Sequence, residues 1–450
     1  MKRSTRSAGP RACALVAALL GAGLLPGCSD VQKTRLFAHL GHSGAQHNLG
    51  VLYADGLGVP EDDVEAAKWF TRAARAGRAD SQYNLALMYT EGEGVERDEG
   101  EAARWFLKAA QQGRAEAQLA IGVIHANGVG VSEDDAQAAR WLKLAADQGS
   151  SEAQVGLGML YAHGEGVPGD DVEAARWFRQ AADQDHPEGA YSLAVLHSQG
   201  RGVEEDASEA LKWYRLAAEH GHADAQILLA GRYGAGGGNA ADPAEALGWH
   251  LRAAERGHPI GAFNTARAYE RGTGVVEDDA EAARWYTLAA QSGLADAQFN
   301  LAYMLAAGEG VLEDDAKAIE WYLKAALEGN APAQLNLGVH YDEGEGVQED
   351  DVEAAKWYRM AAEQGMHEAQ FNLAILYATG EGVPQDLLES HFWLSVSEAA
   401  GNRTAGRVRG TIESKLTEEQ RAGSVERVLA WQEEHALPTG DAEGASFPGS

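Results

Sequence analysis

Between residues 42 and 401 the chain repeats one arrangement of apolar and polar positions every 36 residues. The second unit shows it plainly. Over Ala79–Tyr89, small or apolar residues at Ser81, Leu85, Ala86 and Tyr89 fall at the i, i+4, i+5, i+8 spacing of one helical face. From Glu101 to about Gln111 a second stripe, Ala102, Trp105, Phe106, Ala109 and Ala110, has the same helical period. Each unit is therefore predicted to be a pair of helices, A and B. Neither helix has a partner within its unit large enough to cover its apolar face, so neighbouring units must stack.

The columns of this lattice are well kept. Tryptophan stands at 69, 105, 141, 177, 213, 249, 285, 321, 357 and 393, so that ten of the eleven tryptophans are spaced by 36. With Ala-Ala one turn further on in nine units, this aromatic column predicts core packing rather than a sugar-binding ladder. The Leu85 column holds Leu in eight units and the Ala86 column only Ala or Gly, which permits close helix approach. Gly-x-Gly follows helix A in all ten units, with Val after it in nine, and a Gly ends helix B in nine, Asp185 being the exception. Such glycines suit helix ends and tight reversals. A phosphate-binding reading fails, because the motif recurs ten times, lacks the lysine of a P-loop and follows no strand.

An aspartate stands before every helix B, from Asp62 to Asp386, and Glu follows three residues later in eight units. The spacing predicts the aspartate as N-cap, with the glutamate reaching back to the cap residue's own N–H. Both acids would also sit at the positive end of the helix dipole. Runs such as Glu61-Asp62-Asp63 thus have a structural role, and they lack the alternating oxygen ligands of a calcium loop.

Ten such units predict an all-α fold, a right-handed superhelical solenoid of ten 36-residue helix-turn-helix repeats over residues 42–401. Residues 28–41 read as an anchor followed by a leftover helix B that closes one end. Residues 402–435 read as C-terminal capping helices, where Thr417 and Gln420 form a capping box for a polar helix ending near Trp431. Residues 436–450, rich in Gly, Pro and small residues, read as a disordered tail.

Charge and cysteine content narrow the function. A formal net charge of −31 disfavours binding to nucleic acid, whose phosphates need Lys and Arg. The two cysteines, Cys13 and Cys28, both precede the repeats, which rules out a disulfide framework within them. Lys2, Arg3, Arg6 and Arg11 form a basic start, and Ala12–Leu25 is an apolar run too short for a typical membrane span but suited to a secretory signal. The run ends in Leu25-Pro26-Gly27-Cys28, which resembles a bacterial lipobox; the resemblance implies a signal peptide over 1–27 and lipidation of Cys28. Cleavage there would remove four positive charges and no negative one, taking the net charge to −35. By resemblance to enterobacterial lipoproteins, Ser29 would favour the periplasmic face of the outer membrane.

Chemistry-bearing residues are sparse. His220 and His222 have no matching acid or third ligand at metal spacing, no His-Glu-x-x-His or nucleophile elbow occurs, and no cofactor motif is present. His125 and His197 occupy the mostly-Tyr column and read as packed. The lattice breaks most in the sixth and seventh units. Gly234–Asn239 replaces the usual loop, Arg232 stands in a column mostly of Leu, Met or Ile, and Arg267 lies one unit on. Two arginines in so acidic a chain could form a basic spot able to hold a carboxylate; the alternative is drift in a tolerant unit, each arginine paired to a nearby acid.

The run Ala333-Gln334-Leu335-Asn336-Leu337-Gly338, followed by Gly344-Glu345-Gly346-Val347 and Trp357-Tyr358, resembles the Sel1-like repeat, a relative of the tetratricopeptide repeat. The resemblance extends over residues 42–401, and the Lys415–Trp431 segment is similar to the helix that often closes such arrays. It implies a non-catalytic adaptor or scaffold that holds a peptide or partner protein in a groove of A helices. A component of a cell-envelope polysaccharide export apparatus is an alternative, and an envelope enzyme a weaker one, since nucleophile, base and metal sets are missing. Cysteine-rich members carry a disulfide in each repeat; this chain departs from them.

Overall fold

The computed structural model describes residues 30–236 and 241–435. The signal segment, Cys28, Asn239 and the tail from residue 436 lie outside the described residues. Among those described there are 23 helices and no strand. Two compact units are present, divided between Ala225 and Gln226. Within each, consecutive helices pack pairwise, as in a solenoid.

Helix A of the second repeat runs Ala79–Glu91 and helix B Glu99–Gln111; the ninth repeat has the same pair at Ala331–Glu343 and Asp351–Glu363. The aromatic column is internal: Trp69, Trp177, Trp285 and Trp357 are all buried, and only Trp141 and Trp321 are partly open. Lys or Arg side chains lie over many of these indoles, as Lys108 does over Trp105 with its ammonium 3.9 Å from the ring centre. Small residues in the Ala86 column do bring the helices together. A Cβ on Gly338 would come within 2.5 Å of the Tyr358 ring. The valine after Gly-x-Gly packs against the core in several repeats, as Val95, Val311 and Val347 show.

Every helix B whose cap is described in this lattice carries its aspartate N-cap, with the side chain accepting from the third residue's N–H; Asp98 receives Glu101 N–H at 2.9 Å. The second half of the predicted box does not form. The cap residue's own N–H is donated instead to a helix A carbonyl, Asp98 to Tyr89 at 3.0 Å and Asp350 to Tyr341 at 2.9 Å. With that donor taken, the glutamate turns along its own helix to a cation three residues on, as in Glu65–Lys68 at 2.7 Å and Glu281–Arg284 at 2.9 Å. At the C-terminal end both halves of a capping box are present: Thr417 N–H donates to Gln420 Oε1 at 2.9 Å, and Gln420 N–H to Thr417 Oγ1 at 3.2 Å. That last helix, Glu418–His435, runs four residues past Trp431, and it packs on the tenth repeat through Trp431 against Trp393 and Ser424 against His391.

A column the helical face did not predict to be internal proves central. Gln82, Gln118, Gln154, Gln298, Gln334 and Gln370 are buried on helix A. Each donates its amide to the second Ala carbonyl of the preceding helix B, Gln334 to Ala326 at 3.0 Å for example. Its own Oε1 accepts from a glutamine at the end of helix B in the same repeat, Gln364 to Gln334 at 2.7 Å and Gln112 to Gln82 at 2.6 Å. One amide thus satisfies a helix-end carbonyl and is itself satisfied. Where the donor position is Glu328 or Ala400, the bond is missing, and Gln298 and Gln370 each keep a buried oxygen without a partner.

At the other end of helix B, the second glycine of Gly-x-Gly lies against the first residue of the previous helix B. A Cβ on Gly310, at φ +66°, would fall inside the backbone carbonyl of Asp279, whereas one on Gly293, at φ +90°, meets open space. Asp185, in the Gly293 column, adopts φ 61° without being glycine, so the backbone holds its turn against the residue's preference.

Two outcomes follow. Gly310→Ala costs about 2 kcal/mol more than Gly293→Ala, because only the first adds a clash to the left-handed strain; equal urea midpoints for the two variants would refute the contact. Glu328→Gln supplies the missing donor to Gln298 and stabilises by about 1 kcal/mol, whereas an unchanged or lower midpoint would show that the oxygen is satisfied otherwise.

Candidate functional site

Helix A carries a column of apolar side chains that are not fully covered. In the first unit these are Val51, Leu87, Val123, Met159 and Val195; in the second they are Tyr303, Val339 and Ile375. Tyr303 is 48 % exposed and Val123 45 %. One such side chain in each of eight repeats gives a recurring set of apolar contacts, the type of surface that a partner chain can cover.

The beginnings of the A helices are joined from repeat to repeat by polar pairs. Arg114 pairs with Asp80, Asn330 donates to Asp296 at 3.0 Å, and His222 meets Glu188 at 3.1 Å. The His222 ring also stacks on Tyr191, 4.1 Å between centres. The hydrogen bond from His222 is the main reason that the Glu188 carboxyl titrates below its usual range. His220 lies 3.7 Å from Asp185. Both histidines of this pair therefore have an acid from the preceding repeat, which sequence spacing did not show. These are pairwise contacts, and no group of three potential metal ligands occurs among the described residues. His197 Nδ1 lies 3.3 Å from the Glu204 carbonyl, in keeping with a packed role.

The apolar column is interrupted at Gly231 and Arg267. There the second unit contains a cavity of about 300 Å³. Its apolar wall is Ala230, Ala246, Leu247 and Ala268, and its polar wall is His250, Asn264, Arg267 and Arg271. Three departures from the lattice make the space. Gly231 stands where other repeats carry the apolar column, Gly234 where they carry Ala, Ser, Thr, Glu or Asp, and His250 mostly where they carry Phe, Tyr or Leu. Burial pushes the His250 imidazole down to about 4, so it is neutral at ordinary pH. Its Nδ1 is buried without a hydrogen-bond partner.

Comparison with neighbouring repeats shows what the cavity has lost. In the ninth repeat Tyr358 donates its hydroxyl to Asp342 at 3.1 Å and is also hydrogen-bonded by Asn372 of the next helix A. In the seventh, Tyr286 donates to Glu270 at 2.9 Å. Desolvation in first place, then the adjacent carboxylate, hold both phenols well above their usual range. In the eighth, Asn336 donates to Tyr322 at 3.0 Å. In the sixth, the acid and tyrosine positions are Gly234 and His250, and Asn264 keeps the asparagine position beside the empty volume.

Of the two arginines singled out from sequence, Arg267 lines this cavity, with its guanidinium 5.7 Å from the Phe263 ring centre. Arg232 is exposed on helix Ala223–Gly234 and does not line it. Arg271, which the sequence reading passed over, does, and pairs with Glu270 at 4.0 Å. His250 and Asn264 were also missed; the signal available was that His250 departs from a mostly aromatic column.

The repeat lattice, the helix pairs and their inter-repeat bonds agree with comparison to known proteins. The Sel1 repeat model matches ten times in succession, from residues 43–77 to 367–402. The chain belongs to the Sel1 repeat family. It is similar in structure to a protective antigen of uropathogenic Escherichia coli with an SLR fold, at 33% identity over 93% of this chain and 92% of that one, with a TM-score of 0.64. It is also similar to a Sel1 repeat protein from Oxalobacter formigenes, at 34% identity over 71% of this chain and 91% of that one, with a TM-score of 0.53. No curated protein matches the sequence. Sel1 repeat proteins generally serve as protein–protein interaction scaffolds, and their solenoid fold is typically non-catalytic.

Proposed function

We propose that this chain is a non-catalytic scaffold of the bacterial cell envelope, tethered through lipid on Cys28 and binding a peptide or partner protein along the A helices. The observation that carries the binding reading is the recurrence, in eight of the ten repeats, of a partly open apolar side chain on helix A, as at Leu87, Val123, Tyr303 and Ile375. Such a set can be met by a chain that runs across several repeats, and it does not converge on one reacting centre. The acidic surface favours a partner with basic or neutral flanks. Where the column turns to Arg267, with Arg232 exposed on the helix before it, an acidic group of the partner is accommodated.

The envelope placement rests on the basic start, the apolar run and Leu25-Pro26-Gly27-Cys28. No described helix is long and apolar enough to cross a membrane, so the acylated cysteine supplies the attachment in this reading.

Two measurements test the proposal. Metabolic labelling with a fatty acid marks the wild type and not Cys28→Ala; an unlabelled wild type ends the lipoprotein reading. Affinity capture from envelope extracts yields a partner whose retention falls at least tenfold with Arg232→Ala plus Arg267→Ala while the helical signal and melting point stay nearly constant. Retention unaltered by the double substitution removes these arginines from the interface.

A further inference from the structure

The seventh and ninth repeats each satisfy a buried tyrosine hydroxyl with a carboxylate from their own helix A, Glu270 for Tyr286 and Asp342 for Tyr358. The sixth repeat has neither member of that pair. Glycine replaces the acid at Gly234, histidine replaces the tyrosine at His250, and the volume both would fill is open. What remains around it is a set of donors. Asn264 keeps the position from which Asn336 bonds to Tyr322. His250 lines the volume, with its Nδ1 buried and without a hydrogen-bond partner. Arg267 and Arg271 add two guanidinium groups to the wall.

The charges in this wall fix the class of ligand. Two guanidinium charges face the single carboxylate of Glu270, which is shared between Arg271 at 4.0 Å and the Tyr286 hydroxyl. No ion pair engages Arg267 among the described residues, so one positive charge is left over. A monoanion balances it; a dianion overshoots it in a protein whose net charge is already −31. Ala230, Ala246, Leu247 and Ala268 contribute apolar lining. Planar, two-pronged geometry is what guanidinium matches best.

We propose that the cavity between helices Ala223–Gly234, Pro243–Glu255 and Pro259–Arg271 binds a carboxylate borne on a short aliphatic group, which takes the place of the side-chain acid that the seventh and ninth repeats supply from within. Arg267 carries the charge, Asn264 donates to an oxygen, His250 closes the wall beside them, and the alanine and leucine side chains enclose the aliphatic part. Such a carboxylate can belong to a free small acid or to the end of a peptide. At about 300 Å³ the space sits at the lower limit of ligand pockets, so only one residue-sized group enters. The site stands independently of the partner surface on the other repeats.

The lattice itself provides the controls. Gly231→Val restores the apolar residue found in this column at Val195 and Val339. A Cβ on Gly231 meets nothing within 4 Å, so the side chain starts into open space at a residue that lines the cavity. The experiment is calorimetric titration of the full chain, with the His250 ring resonance, assigned by its loss in His250→Tyr, as a local reporter. The probes are isobutyrate, the peptide acetyl-Ala-Ala-Val with a free carboxyl end, the same peptide as its amide, and inorganic phosphate. The expected result is saturation by at least one of the two carboxylates with a Kd of about 1 mM or tighter, a shifted His250 resonance, and at least tenfold weaker binding of the amide and of phosphate. Gly231→Val abolishes binding at an equal or higher melting temperature, and Arg267→Gln weakens it at least tenfold. The tighter of the two acids identifies the source of the carboxylate. The proposal is overturned if neither acid saturates the site, if the amide or phosphate binds as well as the acids, or if Gly231→Val binds as the wild type does.

Discussion

A buried amide sets the step between adjacent repeats wherever helix A carries the glutamine. Gln334 donates to the buried carbonyl end of the helix before it and accepts from Gln364 on the helix after it, and the same arrangement recurs at Gln82, Gln118 and Gln154. A helix end buried in a stack must have its carbonyls satisfied, and a glutamine amide placed between neutral helix faces would be costly without partners on both sides. The two requirements meet in one side chain. The register of stacking is thereby defined at the C-terminal end of helix B, while the glycine whose backbone lies on the preceding helix B defines it at the N-terminal end. Ala, Trp and Leu columns supply most of the apolar burial, but slippery helix faces alone would tolerate more than one offset.

Much of this was legible in the sequence because the same constraint is written ten times. The tryptophan column, the Ala-Ala pairs, the paired glycines and the capping aspartates each follow from a local rule of helix packing or helix ends. The role of the glutamines was not legible from the helical face, since Gln82 lies beside Ser81 and reads as solvent-facing until the preceding helix is placed against it. The use of the cap N–H escaped for the same reason. Local pairing rules send Glu101 back to the N–H of Asp98, whereas the chain reversal brings the Tyr89 carbonyl there first. In both cases a contact with another helix wins over the nearest choice along the chain.

The candidate site shows the same division. Irregularity in the sixth and seventh repeats was visible as Arg232, Gly234 and Arg267. Which of those residues meet was decided by helix rotation: Arg267 lines a cavity, Arg232 is exposed outside it, and His250 and Arg271 complete the wall. A repeat protein tolerates such a local change because each repeat depends mainly on its neighbours. Loss of an internal acid and a tyrosine hydroxyl in one repeat leaves the stack standing and opens a lined volume, and that is how a uniform scaffold acquires a position unlike the rest.

The central claim is that the glutamine amide joins adjacent repeats and acts on them alone. Hydrogen exchange on the full chain, wild type against Gln334→Ala, tests it most directly. Faster exchange confined to helices Asp315–Leu327, Ala331–Glu343 and Asp351–Glu363, with the helices before Ala225 as protected as in the wild type, is the predicted pattern. Loss of protection spread evenly over all ten repeats, or no change anywhere, would contradict it.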